Sequence, residues 1–134
     1  LDLSPQPAAK VAATTTGSSG VGAGIDVGVG AGKTVTINYT SSGFSPKTVT
    51  INKGDTVTFT NSSSGQMWVA SDEHPTHTEF DGTSRTEHCA AGVAPKPFDQ
   101  CGTGATYSFK FDKTGSFDFH NHAAAQFGGT VIVQ

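Results

Sequence analysis

Gly43-Phe44-Ser45-Pro46-Lys47-Thr48-Val49-Thr50-Ile51-Asn52-Lys53-Gly54-Asp55-Thr56-Val57-Thr58-Phe59-Thr60-Asn61 is the stretch that decides the fold. Val49 and Ile51 alternate with Thr48 and Thr50, and Val57 and Phe59 alternate with Thr56, Thr58 and Thr60. Strand side chains point to opposite faces in turn, so each run has one apolar face and one hydroxyl-bearing face. Lys53-Gly54-Asp55 between them reads as a tight turn. Upstream, Val35, Ile37 and Tyr39 alternate with threonines, and Ser41 to Pro46 reads as a turn. Downstream, Asn61 to Gly65 is a loop and Met67 to Ser71 a fourth strand. Tyr107, Phe109 and Phe111 mark another strand, Phe117 and Phe119 the next, and Thr130 to Val133 the last. About seven to eight short strands with regular turns predict an all-β protein, a Greek-key β-sandwich or barrel.

The chain has 134 residues, enough for one domain with a core of its own and too few for two. Residues 1–32, rich in Gly, Ser, Thr and Ala, read as a flexible tether, and residues 33–134 as the folded domain. The net charge of −3 is scattered, with no basic patch to attract nucleic acid. No apolar run approaches the ~20 residues of a membrane helix. The opening Leu1-Asp2-Leu3-Ser4-Pro5 is no signal peptide and reads as a mature or trimmed N-terminus, so a removed anchor stays open.

Cys89 and Cys101 bracket a short segment rich in Gly, Ala and Pro. Their spacing fits no C-x-x-C motif, and the pair is read as a disulfide rather than as two thiolate ligands. A disulfide implies an oxidising compartment: periplasm, cell surface or medium. The segment from Asp72 to about Gly104 is long, polar and irregular, and loops of that length are uncommon unless they have a function.

Four of the five histidines fall into two pairs, His74 with His77 and His120 with His122. His120 and His122 are two apart, so on a strand both leave the face that Phe117 and Phe119 take into the core. The Asp72 to Gly104 loop is the natural cover for that outer face. Pro75 holds His74 to extended conformations. Neutral imidazole suits Cu(II), Zn(II) and Ni(II), and by the affinity order copper wins where it is available. Met67 is a candidate additional soft ligand, with packing at the sandwich rim as its other reading. Glu73, Glu79 and Asp118 are candidate oxygen ligands or partners for an imidazole N–H. His88 reads as an ordinary surface residue, and Trp68 as a core residue.

The order of these motifs resembles the cupredoxin family. Gly43 to Ile51, Lys53 to Asn61, Tyr107 to Gly115 and Phe117 to Val133 carry the likeness, which spans about Lys33 to Gln134. The resemblance implies a blue-copper site with His, Cys, His and Met at four positions. Here those positions hold Met67, Asn121, Ala124 and Phe127. Without the Cys thiolate the intense blue site is lost. The chain looks more like a branch of the family with His-Pro-x-His and His-x-His motifs, here His74-Pro75-Thr76-His77 and His120-Asn121-His122. In that frame Asn121 stands structurally where the Cys is missing.

These readings converge on an exported copper-binding protein with a non-blue mononuclear site of His74, His77, His120 and His122. Its expected role is copper buffering, delivery or slow electron transfer, with a redox or copper-delivery protein as partner. A metal-free scaffold acting through its surfaces is one alternative, and a mononuclear copper oxidoreductase another. No Gly-x-Ser-x-Gly, His-Glu-x-x-His or P-loop motif argues for catalysis.

Overall fold

The computed structural model of the chain describes residues 32–134. Apart from Gly32, the tether expected over residues 1–32 lies outside the described residues. The elements in order are β1 (Thr34–Thr40), β2 (Gly43–Ser45), β3 (Thr48–Ile51), β4 (Thr56–Asn61), β5 (Val69–Ser71), α1 (Arg85–His88), β6 (Thr106–Lys110), β7 (Gly115–Asn121) and β8 (Ala124–Val133). The eight strands form two four-stranded sheets, ordered β2-β1-β4-β6 and β3-β8-β7-β5. The all-β sandwich expected from alternation is therefore present.

Period-two alternation builds the core directly. Ile37 and Tyr39 of β1, Val49 and Ile51 of β3, Val57 and Phe59 of β4, and Val131 and Val133 of β8 are buried. Phe44, Phe98, Phe111 and Phe119 complete an aromatic centre, with Phe59 and Phe119 edge to face at 5.3 Å. Such pairs add to the area they bury because ring edges and faces carry opposite partial charge.

Three features depart from the sequence reading. Gly43 to Ser45, read as turn, pairs with β1 as a short strand. The last strand begins at Ala124, because it folds back on β7 through Asn121↔Ala124 and then runs beside β3 in parallel register. The long loop holds one helical turn, α1, whose start is a capping box in which the Ser84 hydroxyl and the Glu87 carboxylate each accept the other's backbone N–H.

The same loop is also tied to the sandwich. The Ser71 N–H donates to the Phe98 carbonyl at 2.8 Å and the Gln100 N–H to the Val69 carbonyl at 2.7 Å. Residues 98–100 thus run along β5 as an added edge. Phe98 points into the core, and strand alternation turns Asp99 to the opposite face. The expected disulfide joins Cys89 and Cys101 within this loop.

Candidate metal centre

β5 and β7 are antiparallel neighbours, so the start of one and the end of the other meet. His120 lies in β7, while a register irregularity follows it and His122 sits in the turn beyond. Plain strand alternation over 120–122 is therefore broken, yet both rings still face the covering loop. The loop brings His74 and His77 over them. The His77 N–H donates to the Glu73 carbonyl at 2.7 Å, closing a turn. His77 itself is left-handed, at φ 58°, a conformation that His tolerates better than most residues. Arg85 clamps the turn from α1, its N–H donating to the Thr76 carbonyl and its Nε to that of Pro75.

The result is one cluster. His74, His77, His120 and His122 each place a ring nitrogen within 4.8 Å of the others. His77 is fully buried and His120 is 4 % exposed, whereas His74 stands at the surface. His77 Nε2 lies 3.2 Å from His120 Nε2 and 3.1 Å from His122 Nδ1.

The tautomers follow from the partners. His77 Nδ1 donates to Asp99 Oδ2 at 2.7 Å, and His120 Nδ1 donates to Asp72 Oδ1 at 2.8 Å. An ionised carboxylate only accepts, so Nδ1 carries a proton in both rings, and in the neutral form of each ring Nε2 is left with the lone pair that a metal binds. With both rings neutral, two lone pairs face each other at 3.2 Å, and a cation between them would remove their repulsion. For metal–nitrogen bonds of about 2.0 Å, spacings of 3.1 and 3.2 Å subtend about 105°, close to tetrahedral. The donor set fits a borderline transition-metal ion such as copper or zinc.

Asp99 is the hub beneath the cluster. Besides His77, its carboxylate accepts from His88 Nε2 at 2.6 Å, the Trp68 indole N–H at 2.8 Å and the Cys101 N–H at 2.9 Å. Burial opposes its charge, but these hydrogen bonds outweigh burial and hold it well below the usual carboxylate range. His122 is lowered to about 4, first by desolvation and then by the neighbouring imidazoles and Arg85. Desolvation and the same kind of crowding lower His74. Neutral imidazoles are the form that binds a metal.

Several residues stand elsewhere than the sequence suggests. His88 is not a surface residue: it is 3 % exposed and tied to Asp99. Trp68 is only partly buried, outside the core cluster, with its ring 4.3 Å from His122. Met67 is fully buried among the core residues. Asn121 is fully buried, accepting from the Trp68 and Ala123 N–H groups and donating to the Gln66 carbonyl. It thus laces the β7 turn to the strand opposite. Glu73 contributes its backbone carbonyl, while its side chain and that of Glu79 are exposed. Asp118 accepts from the Thr130 hydroxyl. Asp72 and Asp99, which hold the imidazole protons, carry no local sequence signal. Asp99 follows Phe98 as any polar strand residue follows an apolar one.

A two-sheet sandwich with four imidazoles where its strand ends meet defines a class of small β-proteins with a candidate metal centre. The chain belongs to the plastocyanin/azurin family of copper-binding proteins, whose family model matches residues 31–134. No curated protein gives a significant match. Among solved structures, an oxidised mutant of amicyanin is similar at 17% identity and TM-score 0.55, covering 81% of this chain and 87% of that one. A purple cupredoxin from Nitrosopumilus maritimus is similar at 19% identity and TM-score 0.50, covering 75% of this chain and 99% of the other. At these identities the likeness speaks to the fold.

Proposed function

We propose that the protein holds one copper ion through His74, His77, His120 and His122, in a non-blue site, and buffers or delivers copper or passes electrons slowly outside the cytoplasm. The observation that carries this reading is the pair of Nε2 atoms 3.2 Å apart, each on a ring whose Nδ1 is held by a carboxylate on the far side. Carboxylates behind ligating imidazoles fix tautomer and orientation and raise basicity. Family membership supports copper over other ions.

The gradient of burial favours exchange of the ion. His77 is enclosed and His120 is 4 % exposed, while His74 is exposed, and His74 and His120 line an open cleft with Asp72, Glu73, Asp118 and Lys47. A partner's ligand reaches the ion from that side. The disulfide removes both cysteines from the ligand set, so no thiolate is offered to the copper. Copper supplies a one-electron couple when bound, and imidazoles alone tune it less sharply than a thiolate does.

Titration of metal-free protein with copper tests the reading. One equivalent is expected to bind the parent, and the His120→Ala/His122→Ala variant should keep its fold and lose that equivalent. Equal affinity in both proteins would show that the ion sits elsewhere.

A further inference from the structure

A second group of ligand-type side chains lies behind the histidine cluster. His88, Cys89, Asp99 and Cys101 each place one such atom within 4.8 Å of the others. Cys89 follows His88 at the end of α1, and Cys101 lies two residues beyond Asp99, so two short segments supply all four. In the structure the sulfurs are joined to each other. The thiolate is the metal-binding form of cysteine, so the disulfide leaves the group without its two strongest ligands.

We propose that opening the Cys89–Cys101 disulfide creates a second metal site, in which both thiolates, His88 Nε2 and Asp99 hold a d¹⁰ cation, Zn(II) or Cu(I). Two sulfurs, one imidazole and one carboxylate form a donor set that such ions accept in tetrahedral arrangement. His88 and Asp99 are each 3 % exposed and held side by side by a 2.6 Å hydrogen bond, which a metal ion would replace with a small adjustment of both side chains. The sulfurs are also kept close by bonds other than their own. Lys96 Nζ donates to the His88 and Ala90 carbonyls, and residues 98–100 are pinned to β5 through Ser71 and Val69. Both cysteines are partly exposed, which lets a reductant in.

The opening step balances with a dithiol as co-reactant. Its thiolate attacks one sulfur and forms a mixed disulfide, and its second thiol then releases the chain. The dithiol leaves as a disulfide, and two electrons and two protons end on Cys89 and Cys101. Metal binding displaces these two protons, and the one on His88 Nε2 also leaves that nitrogen, so that the ring's proton is the one on Nδ1, 3.1 Å from the Thr83 carbonyl oxygen. Asp99 also accepts from His77, so the ion draws on the carboxylate that orients a member of the histidine cluster. Each ion then affects the affinity for the other by the same factor.

Zn(II) binding to the full chain tests this. The protein is reduced anaerobically with a phosphine, freed of it, and compared with the oxidised form by bound-zinc analysis, X-ray absorption and circular dichroism. The reduced form is expected to take one equivalent more than the oxidised form, with two Zn–S distances near ~2.3 Å. His88→Ala should weaken that added equivalent at least about tenfold. No added equivalent, an added ion without sulfur, or unchanged affinity in His88→Ala would each overturn the proposal, as would loss of the strand signal on reduction. Zinc taken by the oxidised form reports on the histidine cluster separately, so the two readings fail independently.

Discussion

Asp99 accepts hydrogen bonds from two imidazoles, an indole and a backbone amide. Asp99→Asn keeps the shape but puts an amide where two N–H groups need an acceptor. Copper affinity is expected to fall about 10- to 100-fold, the usual cost of losing a partner behind a ligand. Asp72→Asn should act in the same range through His120, with less effect on stability because Asp72 is only partly buried. Copper titration and thermal melts of both variants check this. Equal affinity to the parent in both would mean that the carboxylates do not set the ring tautomers. At this scale the sequence is half legible. Paired histidines announce themselves by spacing. Asp72 and Asp99 do not, because their partners lie 48 and 22 residues away. His88 was hidden for the same reason: its burial depends on a loop that folds back over it.

The elements were legible wherever one face is apolar, as in β1, β3, β4 and β7. They were not where backbone proximity rather than side-chain pattern decides. β8 lies against its neighbours at Gly128 and Gly129 more closely than a side chain would allow. A Cβ at Gly129 would lie 2.2 Å from the Lys47 carbonyl oxygen and 2.7 Å from the Phe119 ring. Gly129→Ala is therefore expected to force β3 and β8 apart at Thr48↔Thr130, next to the contact. The expected loss is about 1–3 kcal/mol of stability, the usual cost of overpacking. Denaturant unfolding reads it, and a neutral result would show that the strands give way easily. Gly128 has the same tightness against the Phe119 carbonyl, next to His120. The α1 turn was written in the sequence as Ser84-x-x-Glu87, but four helical residues inside a long polar loop give no apolar period to notice.

For the whole molecule, the histidine cluster makes stability depend on pH and metal together. His122 titrates at about 4 in the folded chain, below the ordinary histidine value of about 6.5 in an unfolded one. Between those values the unfolded chain binds more protons, so unfolding free energy rises with pH. The metal-free protein should be most stable above about pH 6.5 and lose stability as pH falls toward 4. Asp99, held below the carboxylate range, adds a further loss of the same sign at still lower pH. A melting temperature flat from pH 7 to 4 would contradict the desolvated cluster. Reducing the disulfide should lower stability by about 3 kcal/mol, the chain-entropy value for a loop of this size. Urea unfolding with and without a phosphine reads that loss. The fold as a whole was readable because one alternation runs through most strands. The centre was readable only as a set of residues, since its geometry depends on how the 72–104 loop is tied down.

The measurement that bears most directly on the central claim is electron paramagnetic resonance of the protein after one equivalent of Cu(II), with the visible spectrum alongside. Nitrogen hyperfine structure from several imidazoles, lost in the His120→Ala/His122→Ala variant and accompanied by weak colour, is the predicted result. An intense thiolate charge-transfer band, or a signal no different from scattered surface histidines, would contradict a four-histidine copper site.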